Sequence, residues 1–386
     1  MKIAVIGAGH AGVEAARCAA ESGIEVVLFS SESVWPYFRP RLVAVAFGQA
    51  EPDAIRMHPA AWYADRKIEV VLDQPITAGN LADGRLITKA GERIFDGLVL
   101  ATGSLPIMPS LGRSAPGRVL PLWSMRHAEQ IRRLIGPGHR VAVVGGGILG
   151  IETALRAVEA GMRATIVERL DRLMPMHFGS RASSVLLRRI AQKGIEVRLG
   201  RLVTQATEDK EAGRVDLALD DGDALPVELC VVAIGARPDL ALARQCGLET
   251  ERGARVNPHL QTSAPRVFAA GDLVMFQGVT RCSVREAVAQ GRSAALNLVA
   301  HLNGQPMAAY HPTPMPLTFK ARDFELYSAG ELARQGYSEL CLEGTTDDVY
   351  RALVVSEGRS VGVQLVGTGE GFDELLRGLG GPVGTR

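Results

Sequence analysis

Two stretches of the chain have nearly the same sequence: residues 2–16 read KIAVIGAGHAGVEAA, and residues 140–154 read RVAVVGGGILGIETA. Each stretch has a short apolar run, then the pattern Gly-x-Gly-x-x-Gly, then an Ala-rich amphipathic run. This order predicts a strand, a tight turn and a helix, which is the context that a dinucleotide-binding fingerprint requires. One such pattern is weak support for a dinucleotide site, but two copies in register are strong support.

The glycines of each copy have separate physical tasks. The first allows the tight turn, the second lets the backbone approach a diphosphate, and the third lets the helix pack closely on the strand. The diphosphate then lies at the positive N-terminus of the helix. The predicted cradles consist of Gly7, Gly9, His10, Ala11 and Gly12 in the first copy, and of Gly145, Gly147, Ile148, Leu149 and Gly150 in the second.

The two copies differ where the second strand of each repeat ends. The first copy has Ser30 there, with Glu32 two residues later as a possible substitute, and the second copy has Glu168. A carboxylate at this position accepts hydrogen bonds from ribose hydroxyls and repels a 2′-phosphate. Glu168 therefore favours NAD(H) over NADP(H), although the adjacent Arg169 could soften that preference. Two dinucleotide folds in one chain suggest a flavin together with a nicotinamide.

Length, composition and charge narrow the class of protein. A chain of 386 residues is typical of two to three domains, and 47% hydrophobic with 22% charged residues is typical of a folded globular protein. The formal net charge of +1 gives no indication of a nucleic-acid partner. The N-terminal apolar run is too short for a signal peptide, and no apolar stretch is long enough for a transmembrane helix. We expect a cytoplasmic protein with reduced cysteines.

Five motifs occur in an order that resembles one known superfamily. They are GAGHAG at 7–12, ATGSLP at 101–106, GGGILGIE at 145–152, AIGARPD at 233–239 and VFAAGD at 267–272. Together they resemble the FAD-dependent pyridine nucleotide–disulfide oxidoreductases. The run PYFRPRL at 36–42 is similar to the branch that contains the NADH:rubredoxin reductases and the flavin domain of nitrite reductases.

The resemblance implies an α/β fold with two Rossmann-like, three-layer ββα dinucleotide-binding domains, as in glutathione reductase, and a small α+β C-terminal domain. It implies an FAD-binding domain at 1–112 and 240–309, an NAD-binding domain at 113–239, and the small domain at 310–386. Within these, we predict a helix at 284–298, strands at 324–328 and 350–356 in an antiparallel sheet, and a short helix at 372–378.

The resemblance also implies roles for individual residues. Ser30 or Glu32 would lie near the adenosine ribose of FAD, and Ile76, in a strand-like stretch, would offer its backbone to the adenine. Arg39 and Pro40 would lie near the isoalloxazine ring, and Glu152 near the nicotinamide amide and flavin N5; the alternative for Glu152 is a solvent-facing helix residue. The remaining implied cofactor residues, which lie beside the flavin or in the interdomain motifs, are Ala101, Thr102, Gly103, Gly235, Gly271, Asp272, Glu286, Ala287 and Lys320.

The sequence departs from the disulfide reductases at one decisive place. Residues 33–48, where that family carries its redox-active cysteines, contain no cysteine. Without a thiol beside the flavin there is no disulfide relay, so disulfide reductase and peroxidase activities are disfavoured. Cys282, in the loop before the predicted flavin-facing helix, is more typical of a structural cysteine than of a redox-active one.

These features predict an FAD-dependent NADH oxidoreductase without a metal site, which passes hydride from NADH to FAD and electrons to an external acceptor. The expected acceptor is rubredoxin or a similar small redox protein, which would dock on a basic rim of Arg39, Arg41, Lys320 and Arg322; scattered solvated charges are the alternative. Other possibilities are an electron-input unit for nitrite reductase, ferredoxin or oxygen, and a non-catalytic NADH sensor. The sequence leaves open whether the protein is a monomer or a homodimer.

Overall fold

The structure is a computed structural model that describes residues 1–312, 316–320, 325–332 and 336–383. Its chain contacts divide it into two compact units. The first unit comprises Met1–Leu42, Glu51–Pro106 and Ala236–Thr313, and the second comprises Val43–Ala50, Ile107–Gly235 and Pro314–Arg386.

A five-stranded parallel sheet forms the centre of the first unit, with the strand order β19-β7-β1-β2-β3. Its strands are β1 (Lys2–Ile6), β2 (Glu25–Phe29), β3 (Ile68–Val71), β7 (Gly97–Leu100) and β19 (Val267–Ala269). The middle strand, β1, is the one that precedes the first glycine fingerprint. Its residues 3–6 are buried irrespective of the face they point to, as expected for a parallel strand covered on both sides.

Helices and smaller sheets accompany this parallel sheet. A Cβ atom on Gly291 would lie 2.2 Å from the carbonyl oxygen of Ala11, so a long C-terminal helix of the unit packs closely on the fingerprint helix. The helices are α1 (His10–Glu21), α3 (Ala60–Asp65), α8 (Ala241–Gln245) and α9 (Val284–Leu302), and the further strands are β4 (Ala78–Asn80), β5 (Arg85–Thr88), β6 (Gly91–Ile94), β8 (Ser104–Pro106), β17 (Ala236–Pro238), β18 (Ala254–Arg255), β20 (Val274–Phe276) and β21 (Val279–Thr280). Strands β4, β5 and β6 form an antiparallel meander.

The second unit contains a second five-stranded parallel sheet, with the order β12-β11-β10-β16-β9. Its strands are β9 (Val119–Pro121), β10 (Arg140–Val144), β11 (Arg163–Glu168), β12 (Glu196–Leu199) and β16 (Leu229–Val232). An antiparallel meander is formed by β13 (Val203–Asp209), β14 (Arg214–Leu219) and β15 (Ala224–Val227), and the helices are α2 (Leu42–Ala46), which begins at the end of the first unit, α4 (Leu111–Ser114), α5 (Met125–Arg132), α6 (Ile148–Glu159) and α7 (Ser180–Gln192).

The sequence repeat is therefore also a repeat of topology. In each unit the fingerprint strand lies in the middle of its sheet, next to the second strand of its own repeat. The registers of these central pairs agree as well, because Lys2 pairs with Glu25 and Arg140 pairs with Arg163. The prediction of two Rossmann-like ββα folds is confirmed.

An antiparallel sheet completes the second unit, with the order β22-β23-β26-β25-β24. Its strands are β22 (Leu317–Lys320), β23 (Glu325–Gly330), β24 (Ser338–Cys341), β25 (Tyr350–Ser356) and β26 (Arg359–Val366), followed by helix α10 (Phe372–Arg377). The predicted strand at 350–356 is confirmed. The strand predicted at 324–328 is observed from Glu325 to Gly330, and residue 324 lies outside the described residues.

Two details of the sequence interpretation were wrong. Ile76 is not in a strand but in the connection between β3 and β4, because Pro75 has no amide hydrogen for a strand ladder. The helix predicted to end at residue 298 continues to Leu302, since residues 299–302 contain neither glycine nor proline.

Candidate functional site

The first glycine fingerprint forms an open cradle at the end of β1. Gly7 has a φ of +107°, and a Cβ atom there would lie 2.1 Å from the carbonyl oxygen of Ala101. A Cβ atom on Gly12 would lie 1.8 Å from the carbonyl oxygen of Gly7. A Cβ atom on Gly9 would meet no described atom within 4 Å. The outer glycines are therefore required by packing, whereas the middle one leaves space at the helix N-terminus.

The second fingerprint repeats this geometry in the second unit. Gly145 has a φ of +114°, and a Cβ atom there would lie 2.4 Å from the carbonyl oxygen of Ala233. A Cβ atom on Gly150 would lie 2.0 Å from the carbonyl oxygen of Gly145, and one on Gly147 would again meet no described atom within 4 Å. Both copies thus combine two closely packed glycines with one open position.

The helices behind the two cradles begin without a side-chain cap. Gly9 and Gly147 are the N-cap residues of α1 and α6, and as glycines they have no side chain that could cap the helix. By contrast, Ser124 caps α5 and Ser283 caps α9. Uncapped first-turn amides are suited to an anion such as a diphosphate. The residues present therefore fit two dinucleotides.

The turn that contains Arg39 is joined to Glu32 by hydrogen bonds. The hydroxyl of Tyr37 lies 3.0 and 2.9 Å from the two carboxylate oxygens of Glu32, and Arg39 donates from Nη2 at 3.0 Å. The guanidinium carbon of Arg39 also lies 5.2 Å from the centroid of the Tyr37 ring. The carboxylate that the sequence offered as a ribose ligand therefore contacts the turn predicted to lie near the flavin.

His10 connects that turn to the first cradle. Its ring meets the Phe38 ring edge-on, with 4.9 Å between the centroids. Burial, together with the positive charge of Arg39, lowers the pKa of His10 to about 4, so the imidazole is neutral at physiological pH. Its Nε2 atom is buried and has no hydrogen-bond partner among the described residues. An unpaired buried nitrogen beside an uncapped helix start is consistent with a site that receives a polar ligand.

Asp272 follows β19 and is held by a residue from another motif. Ser104 donates from Oγ to Oδ2 of Asp272 at 2.7 Å. Burial raises the pKa of Asp272, while the Ser104 hydrogen bond and the charge of Arg39 act in the opposite direction. The preceding Gly271, with a φ of +82°, donates its backbone N–H to Gln290 at 2.9 Å. Ser104 and Gln290, which hold these two predicted residues, were not among the residues predicted from the sequence.

Helix α9 begins at Val284, shortly after Asp272 in the sequence. Glu286 is 2% exposed, donates its backbone N–H to the Ser283 hydroxyl, and accepts a hydrogen bond from Gln290 at 3.0 Å. Ala287 is also buried. A chain of hydrogen bonds therefore joins the first turn of α9 to Gly271. Glu286 and Gln290 are four residues apart and so lie on one helix face, and this spacing is the sequence signal that could have predicted their hydrogen bond.

Thr102 and Gly103 are fixed by hydrogen bonds to the Asp239 backbone. Thr102 donates from Oγ1 to the Asp239 carbonyl at 3.0 Å, and the Asp239 amide donates to the Gly103 carbonyl at 2.9 Å. Gly103 has a φ of +72°. In the second unit, Gly235 has a φ of +105° and accepts a backbone hydrogen bond from Ile107 at 3.0 Å. Both glycines thus occupy turns that favour glycine.

Glu168 holds the second fingerprint turn. Its carboxylate accepts hydrogen bonds from the backbone N–H of Gly146 at 2.6 Å and of Leu170 at 2.7 Å. The acid is therefore fixed at the edge of the cradle by two backbone amides. Its contact with a ribose stays a prediction.

Glu152 is a largely buried carboxyl group on the second fingerprint helix. Burial raises its pKa to about 7, although the positive charge of Arg156 acts in the opposite direction. Its side chain makes no hydrogen bond within the described part of the chain. A carboxyl group that is poised near neutral pH and lacks a partner is more typical of a functional residue than of a solvated helix face.

The four cations of the predicted basic rim are less alike than the sequence suggested. Arg39 is paired with Glu32, and Lys320 is paired with Glu325 at 3.4 Å. Arg41 is exposed and makes a 3.4 Å contact with the Ala54 carbonyl. Arg322 lies outside the described residues. The docking role of these residues stays a prediction.

All five cysteines are free thiols. Partial burial and the nearby Asp272 carboxylate raise the pKa of Cys282 to about 11, so this residue is protonated at neutral pH.

In the described ranges, no group of three His, Cys, Asp or Glu side chains could hold a metal ion. No helix among these residues is long and apolar enough to cross a membrane.

The chain is similar to a known protein family, to curated relatives and to solved structures. A match to the family described as pyridine nucleotide-disulphide oxidoreductase spans residues 1–291. Rubredoxin-NAD(+) reductase of Ectopseudomonas oleovorans is 33% identical over 279 residues, covering 71% of this chain and 72% of that protein. The assimilatory nitrate reductase electron transfer subunit of Bacillus subtilis is 26% identical, covering 98% of this chain and 49% of the subunit. The crystal structure of the covalent putidaredoxin reductase–putidaredoxin complex matches with a TM-score of 0.85 and 25% identity, covering 97% of this chain and 91% of that one.

Proposed function

Because the chain belongs to the pyridine nucleotide-disulphide oxidoreductase family, we propose that it is an FAD-dependent NADH oxidoreductase that delivers electrons to a small redox protein. The observation that carries this proposal is the pair of glycine cradles, each with an open middle glycine and an uncapped helix start. The names of two similar proteins, a rubredoxin-NAD(+) reductase and a putidaredoxin reductase in complex with putidaredoxin, support an acceptor of this kind.

We propose that the domain at 1–112 and 240–309 binds FAD and that the domain at 113–239 binds NADH, with the small domain at 310–386 following them. The first assignment is supported by Asp272 and by the turn around Arg39, which share a unit with the first cradle. The second is supported by Glu168, which is fixed beside the second cradle where it would accept ribose hydroxyls and repel a 2′-phosphate.

FAD, when bound, supplies a group that accepts a hydride from NADH and passes electrons onward. The chain binds and orients the two dinucleotides. The amides at the start of α1 and α6 would bind the diphosphates, Asp272 would accept a hydrogen bond from a ribityl hydroxyl, and Glu152 would orient the nicotinamide amide. Arg39, followed by Pro40, would place a positive charge beside the bound FAD.

The cysteines favour direct delivery of electrons to an external acceptor. The segment 33–48 contains no cysteine, and Cys282 is a protonated thiol at neutral pH. A thiolate is the species that attacks a disulfide. We therefore propose a reaction without a disulfide intermediate.

The first experiment follows the absorbance of the purified holoprotein under anaerobic conditions. NADH should bleach the flavin rapidly and NADPH more slowly. Addition of rubredoxin, putidaredoxin-type ferredoxin, quinone or oxygen should then restore the absorbance at different rates. Rapid reoxidation by a small redox protein is the expected result. A flavin that NADH bleaches only sluggishly would contradict an enzyme and favour a sensor of NADH.

A second candidate is an electron-input unit for nitrate or nitrite reduction. It is favoured by the match that covers 98% of this chain within the nitrate reductase electron transfer subunit. This candidate requires that the reduced protein pass electrons to a separate nitrate- or nitrite-reducing subunit faster than to rubredoxin.

We also propose a cytoplasmic location, since five free cysteines suit a reducing compartment. We propose that the protein is a monomer or a homodimer.

A further inference from the structure

Glu32 has hydrogen-bond partners that differ from those of the second-copy acid, Glu168. Glu168 accepts from two backbone amides, one of them in its own fingerprint turn. Glu32 instead accepts from the side chains of Tyr37 and Arg39. The two acids therefore stabilise different parts of their sites: a glycine turn in the second copy and an arginine in the first.

The Tyr37 hydroxyl is placed to fix the direction of this carboxylate. Tyr37 is 6% exposed, and its hydroxyl lies within 3.0 Å of both oxygens of Glu32. A buried phenol ring has little freedom, so the carboxylate that accepts its hydrogen bond is restricted too. The Arg39 guanidinium then bonds one of these oxygens at 3.0 Å and lies 5.2 Å from the Tyr37 ring centroid. Tyr37 and Glu32 together hold Arg39 in one orientation.

The position of the held cation relates it to the first cradle. Phe38, between Tyr37 and Arg39, contacts the ring of His10, which is the first residue of α1. The positive charge of Arg39 is felt both at His10 and at Asp272, two residues from separate cofactor motifs. A cation near both motifs is suited to the double negative charge of a diphosphate.

We propose that Glu32 and Tyr37 are positioning residues that orient Arg39 toward the diphosphate of FAD, and that Glu32 acts through Arg39 rather than as the ligand of the adenosine ribose. This inference rests on the proposed function, since it requires FAD in the first cradle. If the inference is correct, Glu32 accepts no hydrogen bond from the adenosine ribose. The two acids of the repeat would then have different roles, because only Glu168 would accept hydrogen bonds from a ribose.

The test is a double-mutant cycle on the affinity of the apoprotein for FAD, measured by fluorescence titration. We expect Tyr37→Phe and Glu32→Gln each to raise Kd about threefold to tenfold, and Arg39→Met to raise it about thirtyfold. In the Arg39→Met background, Glu32→Gln should have almost no further effect, since residues that act through one another are not additive. Thermal unfolding of each apoprotein identifies any variant that has merely lost stability.

A matched control and a modified cofactor complete the design. Glu69→Gln removes a carboxylate that pairs with Arg93 at 2.9 Å within the same unit, outside the predicted site, and should leave Kd unchanged. FAD with 2′-deoxyadenosine should lose the same affinity in wild type and in Glu32→Gln. Additive effects of Glu32→Gln and Arg39→Met, an unchanged Kd in Tyr37→Phe, or a Glu32→Gln effect that disappears with the deoxy cofactor would each overturn the inference. A wild-type apoprotein that binds no FAD would instead refute the proposed function.

Discussion

Ser104 and Asp272 are 168 positions apart in the sequence, and Oγ of Ser104 donates a 2.7 Å hydrogen bond to Oδ2 of Asp272. The bond joins the motif at 101–106 to the motif at 267–272. Burial raises the pKa of Asp272, and this hydrogen bond favours the ionised form. The affinity of the first site for FAD should therefore depend on Ser104 even if Ser104 does not contact the cofactor.

Replacement of Ser104 by alanine tests this dependence. Ser104→Ala should raise the pKa of Asp272 further, because the ionised carboxylate loses a donor. FAD should then be released at a higher pH than from wild type as the pH falls, since protonation removes the charged acceptor. FAD fluorescence recorded between about pH 7 and about pH 4 gives the midpoint of release. Equal midpoints for the two proteins would contradict the prediction.

Gly9 and Gly12 should respond differently to alanine. The backbone of Gly9 has φ −78° and ψ −172°, which alanine adopts readily, and a Cβ atom there has open space around it. Gly9→Ala should therefore fold normally but weaken FAD binding at least about tenfold, because the methyl group occupies the approach of the diphosphate.

Gly12→Ala is the contrasting variant. Its Cβ atom would lie 1.8 Å from the Gly7 carbonyl oxygen, so the fingerprint helix must shift away from the strand. We expect a loss of about 2 kcal/mol or more in the free energy of unfolding of the apoprotein, as for other overpacked sites. Urea unfolding measures this loss. If the apoproteins of Gly9→Ala and Gly12→Ala were equally stable, the packing argument would fail.

Glu152 should make stability depend on pH. Its pKa in the folded protein is about 7, above the ordinary value of 4.5, so the folded state binds more protons than the unfolded state between these pH values. The free energy of unfolding should therefore fall as the pH rises through this window, by up to about 3 kcal/mol. Glu152→Gln should remove that part of the fall.

The free energies of unfolding of wild type and Glu152→Gln are measured by urea unfolding at about pH 5 and about pH 8. Glu159→Gln, at the exposed end of the same helix, is the control and should keep the wild-type pH dependence. The rate of flavin reduction by NADH should change near pH 7 in wild type but not in Glu152→Gln. If Glu152→Gln retained the full wild-type dependence of stability on pH, Glu152 could not be its source.

Glu168 should set the preference between the two nicotinamide dinucleotides. Glu168→Ala removes a charge that repels a 2′-phosphate and also the acceptor of the Gly146 and Leu170 amides. We expect the ratio of kcat/KM for NADH to that for NADPH to fall about tenfold or more. Glu196→Gln, on the neighbouring strand β12, is a suitable control. An unchanged ratio would show that Glu168 is not the discriminating residue.

Cys282 should be dispensable for electron transfer. Its pKa of about 11 means that little thiolate is present at neutral pH. Cys282→Ser should therefore reduce external acceptors at the wild-type rate, and neither protein should reduce glutathione disulfide with NADH. Loss of acceptor reduction in Cys282→Ser, with flavin content unchanged, would assign the thiol a redox role.

The sequence was most informative where one physical requirement selects one residue type. The glycines of GAGHAG and GGGILG predicted both strand–turn–helix units, because a left-handed φ and a close backbone approach exclude other residues. Ile76 was assigned to a strand incorrectly, because the adjacent Pro75 has no amide hydrogen for a strand ladder. The hydrogen bonds from Ser104 to Asp272 and from Gly271 to Gln290 could not be predicted, because each joins two elements whose approach a single sequence does not reveal.

The two parallel sheets have the same strand order around their fingerprint strands, yet a bound flavin must stay while a nicotinamide must leave in every turnover. A common frame cannot provide this difference in residence time. The difference has to come from what surrounds the glycines. In the first cradle, the His10 Nε2 atom has no hydrogen-bond partner among the described residues, and the turn that contacts His10 carries Arg39, held by Glu32. The second cradle has aliphatic Ile148 and an acid, Glu168, that accepts from the Gly146 and Leu170 amides. Under the proposed assignment, these few side chains would distinguish a site that retains its dinucleotide from a site that exchanges it.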